Sequence, residues 1–164
     1  PSYEEYIAFM YKLASSFPKL CMLDTIGFSV NKRMILALKI SDQVLADEPE
    51  PDFLYTSTIH GDEPVGYVLL LRLADWLLTR YDTDPHVTNL VNNLQIWINP
   101  LANPDATYFI GNDYIYGAKR YNINDIDLNR NFPDPEEGPH PDGEEYQPET
   151  LSMIVFMKYR QYVL

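Results

Sequence analysis

His60 and Glu63, three residues apart in His60-Gly61-Asp62-Glu63-Pro64, are the first residues of this chain suited to chemistry. A neutral imidazole nitrogen and a carboxylate are ligand types that a catalytic metal takes. The pair follows an apolar, β-branched run at residues 53–59 and opens a long apolar run at 65–78. A strand therefore hands over to a helix at the pair. Open α/β sheets place ligands beyond the carboxyl ends of their strands. A hydrogen-bonded histidine at a strand end is an equal reading of this motif taken alone.

The elements that must position the pair lie on both sides of it. Residues 3–17 carry a helical stripe at Tyr6, Ile7, Phe9, Met10, Leu13 and Phe17, stopped by Pro18. Residues 20–29 and 34–40 read as two strands joined by the turn Val30-Asn31-Lys32-Arg33. Residues 46–52 form an acidic, Pro-rich loop, and residues 53–59 a third strand. Pro64 suits the first turn of a helix reaching about Arg80, with a core face of Val65, Val68, Leu69, Leu73, Trp76 and Leu77. A shorter helix at 84–93 and a fourth strand at 94–98 follow. Residues 100–143 are polar and rich in Asn, Asp, Gly and Pro, and so long a loop region is usually functional. Residues 149–159 read as a helix, and 161–164 as the start of another strand. The alternation implies an α/β fold with a mixed, partly parallel sheet flanked by helices.

Composition narrows the function classes. The chain has 164 residues, the length of one domain, and 46% of them are hydrophobic. Its net charge of −12 argues against nucleic acid or an anionic membrane as partner. It suits a secreted or periplasmic surface. No run of about 18 apolar residues is present, so no membrane span is expected. Cys21 is the one cysteine, which excludes an intrachain disulfide and suits a small buried hydrophobe. His86 reads as a surface residue at a helix start, and His140 as a loop residue.

Three further segments change the weight of His60 and Glu63. Asn99-Pro100-Leu101-Ala102-Asn103-Pro104-Asp105 follows the fourth strand. Asp127-Leu128-Asn129-Arg130-Asn131-Phe132-Pro133 lies within the loop region. Tyr146-Gln147-Pro148-Glu149-Thr150 precedes the last helix. In this order and spacing the four motifs resemble the zinc carboxypeptidases of the carboxypeptidase A/B superfamily, most of all their regulatory, carboxypeptidase N/E-like branch. The resemblance implies that His60 and Glu63 are two ligands of a catalytic Zn2+. It implies that Asn129 and Arg130 grip the α-carboxylate of a peptide or protein C-terminus. A planar guanidinium can meet a carboxylate through two parallel hydrogen bonds. Arg120 is similar to the arginine that stabilises the oxyanion. Asp127 is similar to the carboxylate that orients the ligand histidine and fixes its tautomer. Asn103, Pro104 and Asp105 are expected to shape the floor of the site.

A catalytic zinc takes three protein ligands and a water. The resemblance puts the third ligand, a histidine, just beyond Leu164, past the strand at residues 160–164, and the general-base glutamate further on. Residues 1–164 are then the N-terminal part of a single catalytic domain, and alone are expected to hold zinc weakly and to lack peptidase activity. Two other readings stand beside this one. An amidohydrolase of the aspartoacylase or desuccinylase branch, or a cell-wall peptide amidase, shares the His-Gly-x-Glu and Asn-Arg pattern. A non-catalytic peptide-binding module with a degenerate metal site is the third.

Overall fold

The computed structural model describes residues 1–46 and 48–158. The strand expected at residues 161–164 lies outside the described residues, Leu164 included, and so does the third zinc ligand expected beyond Leu164.

Helix α1 (Tyr3–Ser16) starts at a capping box. The Ser2 hydroxyl accepts from the Glu5 N–H, and the Glu5 carboxylate accepts from the Ser2 N–H. Each satisfies a donor the first helical turn leaves without a partner. Pro18 follows the C-cap Phe17, as the sequence implies. Strands β1 (Cys21–Phe28) and β2 (Met34–Ile40) form an antiparallel hairpin, closed by a hydrogen bond from the Ser29 N–H to the Arg33 carbonyl. Strand β3 (Asp52–Thr56) leads through helices α2 (Val65–Arg80) and α3 (Pro85–Val91) to strand β4 (Gln95–Asn99). The sheet order is β1-β2-β4-β3, with β2 and β4 antiparallel and β3 and β4 parallel. A parallel pair needs a long crossover, which α2 and α3 supply. The mixed, partly parallel sheet expected from the sequence is therefore present.

Side chains of a strand alternate between its faces. On one face Leu36, Leu38, Ile40, Ile96 and Ile98 pack with Tyr6, Met10 and Leu13 of α1 and with Tyr67, Leu71 and Ala74 of α2. On the other face Ala37 and Trp97 meet Phe156 of the last described helix (Pro148–Lys158). The two central strands are thus covered on both sides. Cys21 is buried in the first of these clusters, as expected.

Three expectations need correction. The third strand ends at Thr56, not at residue 59. Thr58 has φ of 59°, a left-handed conformation that a β-branched residue rarely adopts and that turns the chain out of the sheet. The core face of α2 is Tyr67, Leu71, Ala74, Leu77 and Leu78, while Val65, Val68, Leu69 and Trp76 are exposed. This helix is apolar nearly all round, so its period alone does not choose a face. Tyr67 chooses it, because its ring meets Tyr6 edge-on and its hydroxyl bonds to that of Tyr108. Finally, the polar region after Pro100 is not all loop. It contains the short helix α4 (Pro104–Thr107) and a 3-10 turn, Leu128–Arg130, before the last described helix, α5 (Pro148–Lys158).

Candidate active site

The site lies where β3 leaves the sheet. The Ser57 N–H donates to the Asn99 carbonyl, and the Asn103 N–H to the Thr58 carbonyl, so the segment after β3 is tied to the segment after β4. Asn103 is fully buried. Its Nδ2 donates to the Ile59 carbonyl, and its Oδ1 caps α4 by accepting from the Ala106 N–H. It therefore fixes the backbone immediately before His60. Gly61 then passes so close to α4 that an added Cβ would lie 2.5 Å from the Ala106 carbonyl carbon and the Thr107 nitrogen. No other residue fits there. The Gly61 N–H donates to the Arg120 carbonyl, which brings the polar loop to the same place.

His60 is buried, with 5% of its surface exposed. Its Nε2 lies 3.0 Å from Asp127 Oδ1, and its Nδ1 lies 3.2 Å from Glu63 Oε1. Each ring nitrogen thus faces a carboxylate, and an ionised carboxylate only accepts. A ring protonated on both nitrogens satisfies both partners, and so does a neutral ring that donates from Nε2 to Asp127 with a cation between Nδ1 and Glu63. The donor set, one imidazole nitrogen and one carboxylate oxygen, fits zinc. Among the described residues no third His, Cys, Asp or Glu ligand converges on the pair. His86 is exposed at the start of α3, and His140 pairs through Nδ1 with the Glu144 carbonyl while packing on Tyr146.

Arg120 faces both carboxylates. Its Nη1 lies 3.2 Å from Glu63 Oε1, and its Nη2 lies 3.8 Å from Asp127 Oδ2. Its side chain is 44% exposed and that of Glu63 59%, so both are open to solvent and ligand. Burial pushes the Asp127 carboxyl up, but hydrogen bonds from His60 and the Asn129 N–H, with the charges of His60 and Arg120, outweigh burial. They hold it below the usual carboxylate value. Asn129 and Arg130 follow in the 3-10 turn that Asp127 caps. Both are exposed, and the Arg130 guanidinium donates only to the Asn129 carbonyl among the described residues. The structure thus brings His60, Glu63, Arg120 and Asp127 into one connected group, with Asn129 and Arg130 alongside it but not hydrogen-bonded to His60 or Glu63. A cavity of about 280 Å³ opens beside them, bounded by Thr58, Glu63, Leu128, Asn129, Phe132 and Met153.

Asp105 is fully buried beneath this region. It accepts from Arg33 Nη1 and from the Asn31 N–H, tying the β1–β2 turn to α4. Two residues next to the site escape a reading of the sequence. Asn122 is 3% exposed and Glu149 is 1% exposed, and they are hydrogen-bonded to each other. The Arg-x-Asn spacing of Arg120 and Asn122 is a signal for the first. Glu149 stands in the Tyr146-Gln147-Pro148-Glu149-Thr150 motif, but the sequence alone shows neither its burial nor its partner.

The fold, and a His-Glu pair buttressed by a carboxylate beside an Asn-Arg pair, are those of a metallopeptidase-like α/β domain. This chain belongs to the zinc carboxypeptidase family, whose sequence profile matches residues 6–164. The metal of that family is Zn2+. Mouse carboxypeptidase D is 39% identical over 158 residues, which cover 95% of this chain and 11% of that protein. Mouse carboxypeptidase M is 37% identical over 164 residues, 96% of this chain and 35% of that protein. The chain therefore spans about a tenth to a third of these relatives. The crystal structure of carboxypeptidase A from Helicoverpa armigera superimposes with a TM-score of 0.76 at 27% identity, over 95% of this chain and 42% of that one.

Proposed function

We propose that the protein carrying this chain is a zinc metallocarboxypeptidase that removes C-terminal residues from peptides and proteins. Residues 1–164 form the N-terminal part of its single catalytic domain. The observation that carries this reading is the setting of His60: Nε2 lies 3.0 Å from Asp127 Oδ1 and Nδ1 3.2 Å from Glu63 Oε1.

His60 and Glu63 hold the metal, with a third ligand beyond Leu164. Zinc, when bound, supplies Lewis acidity, polarising a carbonyl and lowering the pKa of water. The chain's own residues do the rest of the work assigned to this half. Asp127 fixes the His60 tautomer and the ring plane, which keeps Nδ1 available as a ligand atom. Arg120 offers its guanidinium where negative charge grows on the carbonyl oxygen under attack, a contribution made in the transition state. Asn129 and Arg130 bind the free α-carboxylate, which restricts cleavage to the end of a chain. A secreted or periplasmic location goes with this reading, supported by the acidic composition.

The test uses the full-length protein, zinc-loaded, with one peptide bearing a free C-terminus and the same peptide amidated. The reading expects release of the last residue from the free peptide alone. Arg130→Ala should then lower kcat/KM on the order of 100-fold, as losing one side of a charge-paired recognition does. Equal cleavage of the amidated peptide would exclude an exopeptidase and favour an amidohydrolase. Binding of the free peptide without turnover would favour a binding module.

A further inference from the structure

Asn122 uses every polar atom it has. Its N–H donates to the Ile126 carbonyl at 3.0 Å, and its carbonyl accepts from the Asp125 N–H at 3.0 Å. Its Oδ1 accepts from the N–H groups of Asn124 and Ile126, each at 3.1 Å. Its Nδ2 donates to Gln147 Oε1 at 2.9 Å and to Glu149 Oε2 at 3.3 Å. The five-residue turn it closes contains Asp125 at φ of 60°, a conformation held against its own preference. Arg120 lies two residues before this hub and Asp127 one residue after the turn. Glu149 is itself anchored, since Oε1 accepts from the Val30 N–H of the β1–β2 turn. A buried chain of hydrogen bonds thus runs from the sheet through α5 to the loop that carries both groups facing His60 and Glu63. The segment with Asn129 and Arg130 has a further anchor in Asn131, joined to the first through Gln147. Asn131 donates to Asp142 and the Glu145 carbonyl and accepts from the Gln147 N–H.

We infer that Asn122, held by Glu149, is a positioning residue of this site: it sets where Arg120 and Asp127 stand relative to His60. Neither Asn122 nor Glu149 reaches His60 or Glu63, so both act through others. The inference rests on the proposed zinc carboxypeptidase reading for its kinetic part only. Losing the Asn122 anchor disturbs Arg120 and Asp127, and hence zinc affinity, the His60 environment and kcat.

The experiment uses the full-length protein with Asn122→Asp, and with the double variant Asn122→Asp, Glu149→Gln. The single change keeps the acceptors for Asn124 and Ile126 but sets the new carboxylate against Glu149 Oε2 and Gln147 Oε1. The double change restores the donor–acceptor pair between 122 and 149 with the roles exchanged, because the amide nitrogen at 149 can donate to the carboxylate at 122, and leaves the Gln147 contact as in the single variant. Three quantities are read: zinc affinity by chelator competition, the His60 ring 15N shifts, and kcat and KM separately. The single variant is expected to weaken zinc about 10-fold, to shift the Nε2 resonance, and to lower kcat. The double variant is expected to recover part of the loss in all three. Wild-type zinc affinity and ring shifts in the single variant would overturn the inference, and so would a loss that the double variant does not recover. If the wild-type protein hydrolyses no peptide, the functional reading fails, while zinc affinity and ring shifts still decide the positioning role.

Discussion

At the residue scale the proposed metal site turns on the hydrogen bond between Asp127 and His60. A histidine free to choose its tautomer would spend part of its time with Nδ1 protonated. In the proposed site the Asp127 carboxylate at Nε2 removes that choice. Asp127→Ala in the full-length protein should weaken zinc 10- to 100-fold, measured by chelator competition, with Asp127→Asn closer to the weaker end. Unchanged affinity would mean that the ring is oriented by something else. Gly61 makes a second prediction. Gly61→Ala pushes a methyl into the backbone of α4, and overpacking of this kind costs about 1–3 kcal/mol. Urea denaturation should show that loss. His60, Glu63 and Asp127 were legible in the sequence because side-chain type and motif order carry their chemistry. Asn122 and Glu149 were not, because their importance lies in burial and in partners 27 residues apart.

At the scale of elements, the sheet was easier to read than the helices. β1, β2 and β4 have apolar residues on both faces or in alternation, and the turn between β1 and β2 carries Lys32 at φ of 66°. β3 was read too long because residues 57–59 have strand-like side chains, whereas the backbone at Thr58 obeys the site and not its propensity. Helix α2 was placed correctly but turned wrongly, since tertiary packing of Tyr67 decides what an all-round apolar period does not. Helix α5 carries a pH-dependent element. Burial raises the Glu149 carboxyl above its ordinary 4.5, against hydrogen bonds from its own N–H, the Val30 N–H and Asn122. The folded state therefore holds this proton more tightly than the unfolded chain. Stability is lost as pH rises above 4.5, toward the folded value, and the penalty is absent below 4.5. In urea titrations across pH, wild type should lose stability relative to Glu149→Gln as pH rises from about 4.5. Parallel curves would show that Glu149 is not held in this way.

For the whole molecule, the same architecture that buries Leu38 and Ile98 also delivers His60 to the surface of the sheet's end. The first cluster joins α1, α2 and both central strands, so its loss should be felt globally. Leu38→Ala is expected to cost about 2–5 kcal/mol in urea unfolding, without altering zinc affinity per folded molecule. No described helix is long and apolar enough to cross a membrane. The central claim concerns the metal, and calorimetric zinc titration of the full-length protein tests it most directly. Wild type should bind one zinc tightly, and His60→Ala should bind it on the order of 100-fold more weakly. Tight, stoichiometric binding that survives His60→Ala would contradict the assignment of His60 and Glu63 as ligands.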